Sequence, residues 1–365
     1  MPDRLRILFI TDHTYPPQRV GGAESSTHDL ALTLKERGVE VAVLATIDIA
    51  GYVGFRNRFL RRVLKRGRFP DDHFIGYPVF RGREPTEAAP EVLEGFQPSA
   101  VVVTSGKYSP LSQAFLRAGV PTIVYLRDVE IPLMGGPLPR DPRVAYVSNS
   151  RFNAAFMNAV FGVEAVVIPP LVRPERFRTE TTRSRMLFIN PVPEKGVDLA
   201  FRLAESRPDI PFDFVEGWPL TEDTRARLLE RARAIPNLAW QPAVNDPCSL
   251  YRNARILLVP SMWEESWGRV VTEAHCSGIP ALASNRGGLP ESVGPGGILV
   301  EHDAPLERWH AALSRMWDDQ ATYRALVTAA QHYSTRPEIQ PTLLADKFLG
   351  LVARHLARCS SLAAG

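Results

Sequence analysis

Glu264 and Glu265 stand in a polar loop after an apolar run, and Glu273 follows Glu265 by eight residues, all within PSMWEESWGRVVTEAHCSGIPALASNRGGLPE at 260–291. At about 100° per residue in a helix, eight positions bring the second carboxylate to within roughly 80° of the first, two turns on. A carboxylate accepts hydrogen bonds through both oxygens and so suits vicinal hydroxyls. Two such groups can border one ligand that carries a sugar at one end, a ribose at the other and a diphosphate between. The spacing alone fits equally well two solvated loop glutamates and one exposed helical one. A helix is expected to begin near Trp267 and Gly268 and to run to about Cys276, and its unpaired N–H groups and positive dipole end suit a phosphate.

Other candidates lie after apolar runs. Gly21 and Gly22 precede a helical pattern; paired glycines let backbone N–H groups approach a phosphate or sugar with no Cβ in the way, although the same pair also makes an ordinary turn. The spacing is not the dinucleotide fingerprint G-x-G-x-x-G. Lys195 offers a compact ammonium against charge growing on a leaving group, or is a plain surface lysine. Arg127 closes a strand in Tyr125-Leu126-Arg127-Asp128; its guanidinium stays protonated, so it binds anions and does not act as a base. His13 and His28 read either as neighbours of this site or as structural residues. No Asp-x-Asp occurs, so a metal-bridged diphosphate site lacks its usual ligands.

The 260–291 segment resembles the E-x7-E signature of family-four retaining glycosyltransferases through Pro260, Ser261, Glu265, Trp267, Gly268, Glu273, Ala274, Gly278, Pro280, Ala283, Ser284, Gly287, Gly288, Pro290 and Glu291. The opening agrees, with Pro16, Pro17, Gly21, Gly22, Ala23 and Glu24 before Leu30, Ala31, Leu34, Arg37 and Gly38. Lys195 and Gly196 are similar to the end of the family's G-R-x-x-x-x-K-G, but Asn190 stands at the arginine and Ile189 at the first glycine, and Arg127 takes the place of a histidine. The likeness covers nearly the whole chain, strongest over 186–301 and 5–46 and weakest over 50–100.

This resemblance implies a GT-B fold and transfer of a hexose-type sugar with retention of configuration and without a cofactor, and the missing Asp-x-Asp makes the expected transfer metal-independent. The donor would be a UDP- or GDP-sugar, and the acceptor a hydroxyl of a glycan, a lipid-linked molecule or a small molecule. It assigns Glu265 to the sugar, Glu273 to the ribose and Lys195 to the diphosphate. Asn190 as a neutral donor, Arg269 or Arg127 would replace the missing cation, and Gly21, Gly22, Ser266, Trp267 and Gly268 complete the donor site. Glu265, Lys195 and Arg127 are the expected catalytic residues. A nucleotide-sugar 2-epimerase of the same fold, or a non-catalytic nucleotide-sugar binder, remains as an alternative.

The elements that position these residues are short apolar strands alternating with amphipathic helices. Runs at 5–11, 39–46, 100–105, 122–127, 144–150 and 163–169 form one set; 186–190, 212–217, 237–240, 255–261, 280–284 and 297–301 form another after a Pro- and Arg-rich linker. The pattern predicts α/β architecture with two doubly wound Rossmann-like domains facing across a cleft, ligands lying beyond the strands' carboxyl ends. The expected divisions are an acceptor-side domain at 1–170, a nucleotide-sugar domain at 171–340 and a C-terminal helix at 341–365 that crosses back to the first domain.

With 365 residues, 45% of them hydrophobic, the chain can fill two cores. Its formal charge of +3 is too small for a protein that lives on nucleic acid. Seven cations crowd into 51–70 without an acid, and without them the balance would be −4. Apolar residues alternate with these cations over 55–69, which predicts an amphipathic helix lying on anionic lipid through Arg61, Arg62 and Lys65; a solvated acceptor-side loop is the alternative. Three scattered cysteines and the lack of an 18-residue apolar span fit a cytoplasmic protein, peripheral at most on the inner face of the membrane.

Overall fold

The computed structural model describes residues 4–244 and 246–364. The chain forms two compact units, Met1–Leu171 with Gln340–Gly365, and Val172–Ile339.

The first unit is built on eight strands: β1 (Arg6–Thr14), β2 (Glu40–Thr46), β3 (Asp71–Asp72), β4 (Val79–Gly82), β5 (Ala100–Ser105), β6 (Thr122–Leu126), β7 (Val144–Ser148) and β8 (Ala165–Val167). They are ordered β3-β4-β2-β1-β5-β6-β7-β8, and all pairs but β3 with β4 are parallel. Period-two alternation sets the faces: Leu8 and Ile10 of β1 enter one core, Ile7 and Phe9 the other. Both faces are covered, so the strands read as continuous apolar runs.

The helix Pro341–Ala364 belongs to this unit, and it lays Leu344, Ala345, Phe348, Leu351 and Val352 into the core that holds Ile7 and Phe9. Phe348 stacks on Phe9 with ring centroids 6.3 Å apart.

The 50–100 region departs from the sequence expectation. The helix runs from Gly51 to Arg62 rather than over 55–69, and Leu60 is buried in it. Val63, Leu64 and Lys65 lie beyond the helix, with Lys65 at a left-handed φ of 48°. Strand β3 is two aspartates and β4 only four residues long, and a buried polar contact joins them: Arg81 donates through Nε to Asp72 Oδ2 at 2.6 Å, and through its two terminal nitrogens to the carbonyls of Tyr15 and Pro16 at 2.9 and 2.5 Å. Buried charges survive only when paired and fully hydrogen-bonded; here the pair also pins the loop that leads to Gly21.

The second unit holds six parallel strands, β9 (Arg185–Ile189), β10 (Phe212–Val215), β11 (Leu238–Gln241), β12 (Ala254–Val259), β13 (Ala281–Ser284) and β14 (Gly297–Val300), in the order β11-β10-β9-β12-β13-β14. The first three strands grow outward from β9 and the last three from β12. The order therefore reverses between these two neighbours, and loops leaving their carboxyl ends diverge.

Truncation of Phe348 tests the docking of the terminal helix. Phe348→Ala is expected to cost about 3–5 kcal/mol, as for other buried aromatics, read as a lower urea midpoint by circular dichroism. An unchanged midpoint would show the helix to be dispensable.

Candidate active site

The reversal point of the second sheet brings two loops together. The loop after β9 carries Asn190, Lys195 and Gly196; the loop after β12 carries Ser261, Trp263, Glu265, Ser266, Trp267 and Gly268. Met262 N and Trp263 N donate to Glu194 O at 2.9 and 3.3 Å. Gly196 sits at φ 80°, and a Cβ there would lie 1.9 Å from Pro260 O, so no other residue lets the loops approach this closely. On the other side Gly288 N donates to Glu265 O at 2.6 Å, and a Cβ on Gly288 would meet Ser266 O at 2.4 Å.

Between these braces Lys195 Nζ meets Glu265 Oε1 at 2.5 Å, and Ser261 Oγ donates to the same oxygen at 2.7 Å. The two side chains are only 14% and 11% exposed. Burial pushes the Glu265 carboxyl up, but the Lys195 charge and hydrogen bonds from Lys195, Ser261 and Trp263 outweigh it and leave the group below its ordinary value. The ammonium also lies 4.5 Å from the Trp263 ring centroid and 4.9 Å from that of Trp218, whose rings meet edge to face at 5.3 Å. Cation–π attraction thus holds the lysine from two further sides. A small cavity of about 50 Å³ opens against Asn190, Lys195, Ser261, Glu265 and Val270.

Asn190 lies at the left-handed φ of 64°. Its Oδ1 accepts a short hydrogen bond from Trp218 N, so the residue at the family's arginine position ties down the loop that carries Trp218. Glu273 is held separately, in the seven-residue helix Arg269–His275, which starts one to two residues later than expected. Its Oε1 accepts from Arg269 Nε at 2.6 Å and its Oε2 from Tyr251 Oη at 2.8 Å. Arg269 and Glu273 are therefore partners of each other. Trp267 is turned into the protein, its Nε1 donating to Thr272 Oγ1 at 3.0 Å. Trp218, Trp263 and Tyr251 escaped the sequence reading, which sought charge; the only signal for the tryptophans is that each sits in a loop just beyond a strand's carboxyl end.

In the first unit Gly21 caps the helix Gly22–Glu36, and Glu24 of its first turn is buried. Burial raises the Glu24 carboxyl, but hydrogen bonding to His13 Nδ1 at 3.2 Å and the nearby Arg19 bring it below its ordinary value. Arg127 NH1 donates to Ala23 O at 2.9 Å and Thr27 Oγ1 at 2.6 Å, and the guanidinium stacks over Tyr125 at 3.9 Å. It locks the end of β6 to the helix that follows Gly21 and Gly22. Asp128, whose carboxyl burial raises, accepts from Tyr108 Oη at 2.7 Å. His28 Nδ1 lies 2.8 Å from Tyr77 Oη. Arg61 and Arg62 end their helix and Lys65 lies beyond it, all exposed. Among the described residues no group of three or more His, Cys, Asp or Glu is placed to hold a metal ion.

Residues 177–333 match the family model described as Glycosyl transferases group 1. Over 87% of the chain and 88% of the relative, the sequence is 24% identical to a D-inositol 3-phosphate glycosyltransferase of an Arthrobacter species. A protein of the same name from Corynebacterium kroppenstedtii is 39% identical over 93 residues, which span 25% of this chain and 20% of that relative's length. The fold is that of the Anabaena protein HepE, solved with UDP and glucose: TM-score 0.74, 17% identity, 96% of this chain and 100% of that one covered.

The Lys195–Glu265 pair sets a titration with a definite sign. A carboxylate whose folded pKa is depressed stabilises the fold above its ordinary value of 4.5, and that contribution is lost as pH falls through the lower folded value. Lys195→Met removes the largest lowering influence and leaves burial in control. Carbon-detected NMR of the Glu265 carboxyl is expected to place it below 4.5 in the wild type and above 4.5 in Lys195→Met; a midpoint that stays below in the variant would remove Lys195 from this role.

Proposed function

We propose that this chain, whose residues 177–333 carry the glycosyl transferases group 1 domain, transfers a hexose from a nucleotide diphospho-sugar to a hydroxyl acceptor with retention of configuration. The observation that carries the reading is the lysine and glutamate drawn together at the order reversal of β9 and β12, where open parallel sheets bind their ligands. UDP in the Anabaena structure favours a UDP-sugar as the first donor to test, with a GDP-sugar second.

The residues divide the work as follows. The sugar C1–O bond to the diphosphate breaks, the acceptor oxygen bonds to C1 on the same face, and the acceptor proton passes to the departing phosphate oxygen. Negative charge grows on that diphosphate, and the Lys195 ammonium stabilises it. Glu265 orients the sugar hydroxyls, for which its second oxygen is suited, and Glu273, held by Arg269, takes the ribose. The positive charge assigned to the diphosphate is the Lys195 side chain, and the reading is of transfer without a metal ion or cofactor. Arg127 acts by fixing the glycine-led helix start in the first unit rather than by proton transfer.

The acceptor side is proposed to meet an anionic membrane surface from the cytoplasm. Among the described residues no helix is long and apolar enough to cross a membrane. The Gly51–Arg62 helix and the turn beyond it nonetheless present Tyr52, Phe55, Phe59 and Val63 to solvent at helical spacing, each at least 45% exposed, beside Arg61, Arg62 and Lys65. Aromatic side chains flanked by cations suit the headgroup boundary.

Turnover with UDP-glucose and a panel of hydroxyl acceptors tests the transferase reading. Lys195→Ala is expected to lower kcat about 10²- to 10³-fold, the range for loss of one charge-stabilising group, and Glu273→Gln to raise donor KM more than it lowers kcat. EDTA is expected to leave the rate unchanged, and NMR to show a retained anomer. An inverted product, or full activity in Lys195→Ala, would overturn the mechanism. For the surface, reversing Arg61, Arg62 and Lys65 to Glu is expected to abolish pelleting with phosphatidylglycerol vesicles; unaltered pelleting would rule the contact out.

A further inference from the structure

The basic insert builds a hollow of its own. Strands β2 and β4 are paired in parallel up to Thr46 and Gly82, so Ile47 and Arg83 leave the sheet side by side at its carboxyl end. The Gly51–Arg62 helix closes over this edge. A Cβ on Gly54 would sit 2.2 Å from Ile49 O, so the glycine lets the helix lie against the backbone of residue 49. Asn57 Nδ2 clamps the same helix to Arg81 O at 3.0 Å. The hollow is open to solvent, holds about 470 Å³ and is lined by Arg58, Arg61, Arg62, Arg68 and Arg83, with Ile47 and Ile49 as an apolar wall.

The charge of this hollow is unbalanced. Gly54, Asn57, Arg58 and Arg61 share one helical face at spacings of three, four and seven, and no carboxylate lines the hollow. Arg68 pairs with Glu87, and Glu91 accepts from the backbone N–H groups of Arg68 and Phe69 at 2.8 Å each, which fixes the far wall. Arg58, Arg61, Arg62 and Arg83 make no ion pair or side-chain hydrogen bond among the described residues. Several arginines lining one hollow at the end of parallel strands suit phosphate oxygens, which guanidinium forks bind bidentately. The volume lies within the usual range of small-ligand pockets.

We propose that the hollow formed by Arg58, Arg61, Arg62 and Arg83 binds the phosphate or diphosphate group of the acceptor, with Ile47 and Ile49 against its carbon skeleton. The site itself stands on its own geometry; its assignment to the acceptor rests on the transferase reading above. Arg83 separates a pocket from a helix that merely lies on lipid, because it comes from the end of β4 and not from the helix.

The test is calorimetric titration of the full chain with inorganic pyrophosphate at physiological salt and saturating UDP, repeated in Lys195→Ala so that no result depends on UDP binding. One pyrophosphate is expected per chain. Arg58→Ala and Arg83→Ala are each expected to weaken it roughly tenfold or more, while Arg66→Ala, an exposed cation outside the hollow, leaves it unchanged. Absence of binding, or equal loss in all three variants, overturns the proposal. Loss of UDP binding with pyrophosphate binding retained would instead overturn the donor reading alone. Phosphatidylglycerol vesicle pelleting that pyrophosphate competes away assigns the phosphate to a lipid headgroup; binding of pyrophosphate and glycerol 3-phosphate without pelleting assigns it to a soluble acceptor. Either result upholds the pocket.

Discussion

An ammonium and a carboxylate taken out of water together cost several kcal/mol apiece unless each finds its partner and its remaining hydrogen bonds. Lys195 and Glu265 meet that condition through Ser261 and the two tryptophan rings, and meeting it requires that two loops from different strands arrive in register. The glycines are placed accordingly. Gly196 allows the β9 loop to touch Pro260, and Gly288 allows the turn after β13 to seat against Ser266. The parallel pairing of β9 with β12 is what makes the two loops neighbours at all.

The two glutamates of the segment are held in different ways, and the difference follows from their cations. Arg269 donates to Glu273 from the preceding helical turn, and Tyr251 takes the other oxygen. That carboxylate is fixed before any ligand arrives. Lysine offers Glu265 a compact charge with rotatable donors rather than a planar fork. An ammonium of this kind can turn about its stem while Ser261 keeps its hydrogen bond to the carboxylate. Asn190 fits this division, since an uncharged amide at that position steadies the Trp218 loop without competing for the same anion.

Much of this architecture was legible in the sequence because its causes are local. The apolar runs at 186–190 and 255–261 locate β9 and β12, and the motif residues fall just after their carboxyl ends. What escaped depends on residues distant in the chain. Arg81 and Asp72 hide β3 and β4 because a paired charge inside a sheet looks like a surface residue in sequence. Trp218 reaches Lys195 from a loop whose place is fixed by Asn190, and neither contact leaves a periodic trace. Leu60 lies among the apolar residues that alternate with cations over 55–69, yet the helix turns it inward; a pattern of alternation cannot say which of two apolar stripes meets the core.

The same two-striped helix explains why the net charge says so little. Its inner stripe anchors it on the sheet through Val53 and Leu60, its outer stripe leaves Tyr52, Phe55 and Phe59 exposed, and its arginines fall between the two. In the second unit the Lys195 charge is cancelled locally by Glu265, so it adds little to the field around the protein. In the first unit four guanidiniums stand without counter-carboxylates, and their field extends about a Debye length, roughly 8 Å at physiological salt. Charge that is cancelled locally acts only on contact, whereas charge left uncancelled also attracts. A formal +3 sums the two and conceals that only the second kind can draw an anionic partner from solution.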